Sequence, residues 1–140
     1  MKKVTVCASR VYDILIERGL IKSIGKLLSD AKISPCRAAI LTDDNVDPLY
    51  SKTVEASLEA AGFSTIKYVI KNGEDSKSAE SFIAFLNFLA SNKLTRSDIL
   101  IALGGGVVGD LCGFTAATYL RGIDYIQIPT SLLAMVDSSV

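Results

Sequence analysis

Short strand-like runs alternate with longer segments of helical periodicity, and this alternation constrains the fold more than any other feature of the sequence. Strands are predicted over four such runs, at residues 38–41, 65–70, 99–103 and 125–128. Helices are predicted at residues 48–61, 78–92 and 108–119, with a further helix starting after Thr130. The first and third strand runs are continuous and apolar, as in strands that are covered on both faces. The pattern therefore predicts an α/β domain, with a parallel sheet and helices on both faces.

The first thirty residues add two strands and a helix. Apolar residues alternate with polar ones from Val4 to Ile16, which predicts two strands before a turn at Arg18 and Gly19. Apolar residues then recur at helical spacing over residues 20–28, so a helix is predicted that ends near Asp30.

Composition excludes several functions for this chain. Its 140 residues contain 15 Lys plus Arg, 15 Asp plus Glu and no histidine. Serine-histidine triads and histidine-containing zinc sites are therefore excluded within the chain. The balanced charge argues against a nucleic-acid partner, and no apolar run reaches the roughly 18 residues of a membrane span. Cys7, Cys36 and Cys112 lack metal-site spacing, so we expect small buried apolar residues in a reducing cytoplasm.

The polar residues that follow strands mark the predicted binding edge. In parallel sheets, ligands bind beyond the carboxyl ends of the strands, where loops converge and helix N-termini point at the ligand. Four segments of this chain occupy such positions, at residues 43–45, 73–77, 104–110 and 130–131.

A glycine-rich turn is the strongest local signal among these segments. Gly104, Gly106 and Gly109 have the spacing G-x-G-x-x-G between a strand and a helix, which suits a pyrophosphate at the helix N-terminus. The motif is not a P-loop, because Asp110 follows Gly109, and Asp124 lies at the wrong end of the next strand for a standard dinucleotide fingerprint. A tight turn with a packing glycine is the alternative.

Charged residues near the same edge have both a functional and an ordinary interpretation. Asp43 and Glu74 suit hydrogen bonds from ribose hydroxyls, and helix capping or solvation is the alternative. Lys77 suits a phosphate, or a surface pair with Glu74. Taken singly, Asp110 fits a helix start, Arg121 an exposed turn and Asp137 a solvated helix position. As a set these six residues predict a dinucleotide site.

Three segments carry a resemblance to the 3-dehydroquinate synthase family, and the resemblance covers essentially the whole chain. The longest runs from Leu103 to Val140 and reads LGGGVVGDLCGFTAATYLRGIDYIQIPTSLLAMVDSSV. The other two are TDDNVDPLY at residues 42–50 and NGEDSKS at residues 72–78. Cys112 stands where threonine is common in the family, which is a small-for-small difference.

The resemblance implies a Rossmann-like, NAD-binding N-terminal domain at residues 1–140 that ends within the substrate-binding segment. Its family converts 3-deoxy-D-arabino-heptulosonate 7-phosphate to 3-dehydroquinate and phosphate in the shikimate pathway, by transient oxidation, phosphate elimination, re-reduction and aldol closure. The family's catalytic lysines and its zinc or cobalt ligands belong to a second, helical domain that follows. No catalytic set is complete in this chain and no metal ligand is predicted, so we expect the segment alone to be inactive and to bind NAD weakly.

The resemblance also assigns roles to individual residues. Asp43 and Asn45 correspond to contacts with the adenosine end of NAD. Alongside them lie the residues of the third segment, Asn72, Gly73, Glu74 and Lys77. The pyrophosphate cradle corresponds to Gly105, Gly106, Val107, Val108 and Gly109. Asp110 matches the nicotinamide side, while Thr130 and Ser131 line the cofactor. Asp137 matches a contact to a substrate hydroxyl, and Arg121 matches an arginine lent to the neighbouring subunit's substrate phosphate, which requires a homodimer.

Three other interpretations remain open from the sequence. A related sugar-phosphate cyclase, such as a 2-deoxy-scyllo-inosose synthase or an epi-valiolone synthase, would share the cofactor side. A metal-dependent glycerol dehydrogenase would share the architecture without the close match to Val-Asp-Ser-Ser. A non-catalytic nucleotide-binding or dimerisation module is the alternative from a different functional class.

Overall fold

A computed structural model describes residues 1–8 and 11–140 of the chain. Its strands are β1 (Lys2–Cys7), β2 (Val11–Ile16), β3 (Arg37–Asp43), β4 (Ser64–Ile70), β5 (Ile99–Gly104) and β6 (Asp124–Pro129). Its helices are α1 (Ile24–Asp30), α2 (Lys52–Ala60), α3 (Ala79–Ser91) and α4 (Gly106–Thr118). Every strand and helix predicted from the sequence is present, so the predicted α/β class is confirmed.

Strands β3 to β6 form one parallel sheet in the order β4-β3-β5-β6. The chain adds β4 on one side of β3 and then crosses to the other side to add β5 and β6. The strand order therefore reverses between β3 and β5, and their carboxyl ends flank the crevice where ligands bind in open α/β sheets.

Helices cover both faces of this sheet, as predicted. Ala38 and Ile40 of β3 pack in a buried cluster with residues of α1 and α2, whereas Ala39 and Leu41 pack with residues of α3 and α4. All four side chains are fully buried. This two-sided burial explains why the strand is a continuous apolar run with no polar alternation.

The first two strands form a separate antiparallel ribbon. Lys2 of β1 pairs with Ile16 of β2, and the register continues to Cys7 and Val11. Both strands were predicted, but the ribbon lies outside the parallel sheet. Most of its residues are exposed, and Lys3 forms an ion pair with Asp13 across it, with Nζ and Oδ2 2.7 Å apart.

The helix starts differ from the predicted ones. Residues Leu20–Ser23 form a 3₁₀ turn before α1, and a π-helical turn at Asp47–Ser51 precedes α2. Helix α4 begins at Gly106, two residues before the predicted start, because Gly109 N–H already donates to Gly105 C=O at 3.0 Å. Glycine disfavours helix interiors, but the packing of the helix that follows overrides this preference. The last helix contains a π-helical turn at Ala134–Ser138.

The cysteines differ in exposure. Cys112 is buried, as expected, whereas Cys36 is half-buried and Cys7 is exposed at the end of β1. The expectation of burial is therefore wrong for Cys7, because it ends a strand of the two-stranded ribbon, most of whose described residues are exposed. Within residues 1–8 and 11–140, no helix combines the length and the apolar character needed to cross a bilayer.

Candidate functional site

The crevice between the ends of β3 and β5 brings most of the predicted residues to one edge. The turn after β5 enters α4 directly, and the segment after β6 returns beside it, because Thr130 N–H donates to Gly104 C=O at 3.0 Å. The loops after β3 and β4 are also joined to each other, since Asp44 N–H donates to Ile70 C=O at 3.0 Å. All four predicted segments therefore follow strands at the same edge of the sheet.

The N-terminus of α4 offers backbone donors at this edge. Gly105 precedes the helix in an extended conformation, with φ −80° and ψ −165°, and no side chain caps the first turn. Uncapped N–H groups and the positive end of the helix favour an anion. Val108 is 1% exposed and packs in the core, so it can contact a ligand only through its backbone.

Missing side chains keep a narrow space open between α4 and the chain after β6. A Cβ on Gly105 would lie 3.5 Å from Ser131 Oγ, and a Cβ on Gly106 would lie 3.4 Å from Ser138 Oγ. Ser131 Oγ itself accepts a hydrogen bond from Ala134 N–H at 3.3 Å. Side chains at these two glycines would therefore fill the space beside the uncapped donors.

Gly104 has the packing role that the sequence left as the alternative. A Cβ at this position would lie 2.6 Å from Val108 Cγ2, closer than any real contact. The glycine turn therefore combines both interpretations: Gly104 lets the strand and the helix pack closely, and Gly105 and Gly106 leave space at the helix start.

The loop after β3 is ordered by its own first carboxylate. Asp43 Oδ1 accepts hydrogen bonds from the backbone N–H groups of Asn45 and Val46, each at 2.9 Å. This oxygen therefore orders the turn before the helix. The N-cap residue of that helix is Val46, so Asp43 does not act as the helix cap that the alternative described. Asp43 is half-buried and Asn45 is exposed.

Asp44 is a residue that the sequence reasoning did not select. Its Oδ1 accepts the backbone N–H of Asn72 at 2.8 Å and the Asn72 side-chain amide at 2.7 Å. These hydrogen bonds, led by the one from the side-chain amide, hold the pKa of Asp44 below its ordinary value. The sequence feature that could have identified Asp44 is its position between Asp43 and Asn45, in the same polar run.

An ion pair joins the loop after β4 to Asp110 of α4. Because α4 begins at Gly106, Asp110 lies beyond the first turn, so the expected place at the helix start is wrong. Lys77 Nζ lies 2.6 Å from Asp110 Oδ2, and this hydrogen bond raises the pKa of Lys77. The surface pair between Lys77 and Glu74, weighed as an alternative, is not the contact that forms. Glu74 is exposed in a short 3₁₀ turn, Glu74–Ser76, beside the crevice.

Two predicted substrate residues lie at different ends of α4. Asp137 is exposed in the π-helical turn next to Ser138, on the side of the glycines. Arg121 is exposed in the turn that follows the other end of α4, a helix of 13 residues. Since such a helix is about 20 Å long, this chain's own Arg121 is distant from its own crevice. Asp124 begins β6, as expected, at the opposite edge of the sheet.

The residues that the structure describes contain no group of three or more Cys, Asp or Glu placed to hold a metal ion. The chain as a whole has no histidine. These residues therefore do not fit a resident divalent metal.

The fold and this edge define the class of the domain as Rossmann-like, of the kind found in sugar-phosphate cyclases. The chain superposes on 2-epi-5-epi-valiolone synthase from Streptomyces hygroscopicus subsp. jinggangensis, a structure with NAD⁺ and Zn²⁺ bound, with a TM-score of 0.81 and 28% identity, over 98% of this chain and 37% of that one. A 2-deoxy-scyllo-inosose synthase complexed with carbaglucose-6-phosphate, NAD⁺ and Co²⁺ gives a TM-score of 0.85 at 21% identity, over 98% and 37% of the two chains.

Sequence comparison narrows the class to a family. The model of the 3-dehydroquinate synthase N-terminal family matches residues 67–140. The chain is 53% identical to the 3-dehydroquinate synthase of Streptococcus suis (strain 05ZYH33) over 129 residues, 92% of this chain and 36% of that protein. It is 50% identical to that of Enterococcus faecalis (strain ATCC 47077 / OG1RF) over all 140 residues, 39% of that protein. The chain therefore belongs to the 3-dehydroquinate synthase family, and it spans less than two fifths of the length of these relatives.

Proposed function

We propose that this chain is the NAD-binding N-terminal domain, residues 1–140, of a 3-dehydroquinate synthase. Joined to a second region of the kind that its longer relatives contain, it would convert 3-deoxy-D-arabino-heptulosonate 7-phosphate to 3-dehydroquinate and phosphate. The observation that carries the proposal is the connected crevice. The loop after β4 is bound to the loop after β3 through Asn72 and Asp44, and to helix α4 through Lys77 and Asp110. The 53% identity to a protein of that name supports the reaction.

The residues at the crevice fit NAD. The uncapped first turn of α4 and the space beside Gly105 and Gly106 suit a pyrophosphate. Asp43 and Glu74, on neighbouring loops, suit the hydroxyls of the adenosine ribose. Asp110, which binds Lys77 of the loop after β4, is assigned to the nicotinamide end by the resemblance alone. Thr130 and Ser131 line the wall formed by the segment after β6.

Each group in this chain then has a defined task. When bound, NAD would supply the hydride acceptor for the transient oxidation and re-reduction of the substrate. The chain binds and orients the carrier: backbone N–H groups of α4 neutralise the pyrophosphate, and the carboxylates fix the ribose. Asp137 would accept a hydrogen bond from a substrate hydroxyl. Arg121 would bind the substrate phosphate of a neighbouring subunit in a homodimer, which suits its distance from its own crevice.

The metal is assigned outside this chain. Zinc or cobalt accompanies NAD⁺ in the two structural neighbours named above. The described residues provide no ligand group and the sequence has no histidine. A metal used by the whole enzyme would therefore be bound by residues outside this chain.

Two measurements test the proposal. Isothermal titration calorimetry of the 140-residue chain with NAD is expected to show weak binding, and an assay for dehydroquinate with added zinc is expected to show no turnover. Fusion of the chain to the remaining C-terminal part of the Streptococcus suis relative is expected to restore turnover. Absence of NAD binding by both proteins would contradict the cofactor site, and dehydroquinate formation by the chain alone would contradict the domain assignment.

A further inference from the structure

The loop after β4 has few means of keeping its place. Residues 71–75 are all exposed, and Gly73 turns the chain with a φ of +103° that other residues rarely adopt. Strand β4 is an edge strand, one position further than β3 from the crevice. With no apolar burial to hold it, the position of this loop depends on polar contacts.

Polar contacts fasten the loop at both of its ends. Asn72 is bound by Asp44 through two hydrogen bonds that share Oδ1, at 2.8 and 2.7 Å. Lys77, five residues later, is bound by Asp110 of α4. Because Asp44 follows β3 and α4 follows β5, the loop is drawn from the sheet edge toward the crevice. Between the two attachments lies Glu74.

We propose that Asp44 is a positioning residue for the cofactor site: by binding both amide groups of Asn72, it holds the loop after β4 so that Glu74 reaches the adenosine ribose. This inference rests on the proposed function. Asp44 does not need to contact the cofactor, since its Oδ1 is occupied by Asn72. The contribution to affinity is preorganisation, because a loop that is already in place loses less conformational entropy on binding.

The experiment is an NMR titration of the ¹⁵N-labelled 140-residue chain with NAD, AMP and nicotinamide mononucleotide. The variants are Asp44→Ala, the near-isosteric Asp44→Asn, and Asn72→Ala alone and combined with Asp44→Ala. Asp75→Asn is the matched control, because it removes one exposed carboxylate from the same loop and Asp75 has no assigned role. The Asn72 amide resonances report the contact directly, without any nucleotide.

We expect Asp44→Ala to shift the Asn72 amide resonances and to weaken NAD and AMP about fivefold. Nicotinamide mononucleotide and the Asp75→Asn control should change less than about twofold, within the spread of substitutions that touch nothing. The combination with Asn72→Ala should bind no more weakly than Asp44→Ala alone, because Asp44→Ala already removes both hydrogen bonds and Asn72→Ala removes one of them.

Each other outcome has a distinct meaning. Unchanged NAD affinity in Asp44→Ala, with the wild-type chain binding NAD, would overturn the positioning role and leave the proposed function intact. Equal weakening of AMP and nicotinamide mononucleotide would also overturn it, because the effect would not be confined to the adenosine end. If neither the wild-type chain nor its fusion to the C-terminal part of the relative binds NAD, the proposed function fails and this inference fails with it. Should Asp44→Ala not fold, Asp44→Asn and Asn72→Ala give the same comparison.

Discussion

Alanine at Gly104 would force β5 and α4 apart, and the size of the effect follows from three distances. The new Cβ would lie 2.6 Å from Val108 Cγ2, 2.7 Å from Val108 Cβ and 3.0 Å from Val108 Cγ1. Carbon atoms at rest are about 3.5–4.0 Å apart. A rotamer change of Val108 moves its two methyl groups but leaves Cβ in place, so the helix backbone must move by nearly 1 Å.

Overpacking of a well-packed core costs about 1–3 kcal/mol. Because Val108 is 1% exposed and its Cβ cannot rotate away, we expect the free energy of unfolding to fall by about 2–3 kcal/mol, the upper part of that range. Gly109→Ala is the matched control. Its new Cβ would meet Gln127 Oε1 at 2.9 Å, but that atom ends a flexible side chain. Alanine inside a helix gains about 0.5–1 kcal/mol over glycine, so this variant should be at least as stable as the wild type.

Urea unfolding followed by far-UV circular dichroism and by tyrosine fluorescence would measure both variants, and agreement of the two probes would support two-state analysis. The reasoning is refuted if Gly104→Ala unfolds within about 0.5 kcal/mol of the wild type, the level of a neutral surface change. A Gly109→Ala chain less stable than Gly104→Ala would also refute it, because the flexible contact would then cost more than the rigid one.

Three further predictions concern a buried hydroxyl, the thiols and acid stability. Tyr119→Phe removes the hydrogen bond from Tyr119 Oη to Leu94 C=O at 2.9 Å, so the free energy of unfolding in urea should fall by about 1–2 kcal/mol; no change would mean that water replaces the hydroxyl. A thiol reagent should label the exposed Cys7 quickly and Cys112 only on unfolding, because burial raises the pKa of the Cys112 thiol; mass spectrometry of digested samples would show the order, and early labelling of Cys112 would contradict the packing. The hydrogen bonds that lower the folded-state pKa of Asp44 stabilise the folded chain above the unfolded pKa of about 3.9, and this stabilisation is lost as pH falls through the folded pKa. The melting temperatures of the wild type and Asp44→Asn should therefore converge as pH falls below about 4. A constant difference in melting temperature down to pH 2 would contradict the assignment.

Burial patterns made the fold predictable from the sequence. The apolar runs at 38–41 and 99–103 can only be satisfied by cover on both faces, and the structure buries both runs completely or nearly so. The helix predicted at 78–92 places Phe85 and Leu89 in the core, with Ser78 as its N-terminal cap. In each case the spacing of apolar residues within one short segment is sufficient, because that spacing determines both the type of element and its buried face.

The contacts that join the site could not be predicted in the same way. Asp44 and Asn72 are 28 residues apart, and Lys77 and Asp110 are 33 residues apart. Sequence spacing suggested a pair between Lys77 and Glu74, as an alternative to a phosphate contact, because they are near neighbours in the chain. The crossover that places α4 beside the start of α3 brings Asp110 closer instead. Such partners depend on strand order, which apolar periodicity does not specify.

The glycine motif shows why the joined loops, and not the motif, carry the case for a cofactor. A match to G-x-G-x-x-G treats its glycines as equivalent, yet in the structure Gly104 is required by packing against Val108 and Gly109 faces a flexible glutamine. Gly106 is the member beside the space at the helix start, together with Gly105, which the motif leaves unspecified. A tight packing turn would need only Gly104. Packing does not explain why Gly105 and Gly106 leave space beside the uncapped N–H groups of α4. These groups lie at the edge where segments that follow separate strands are joined by charged and amide groups.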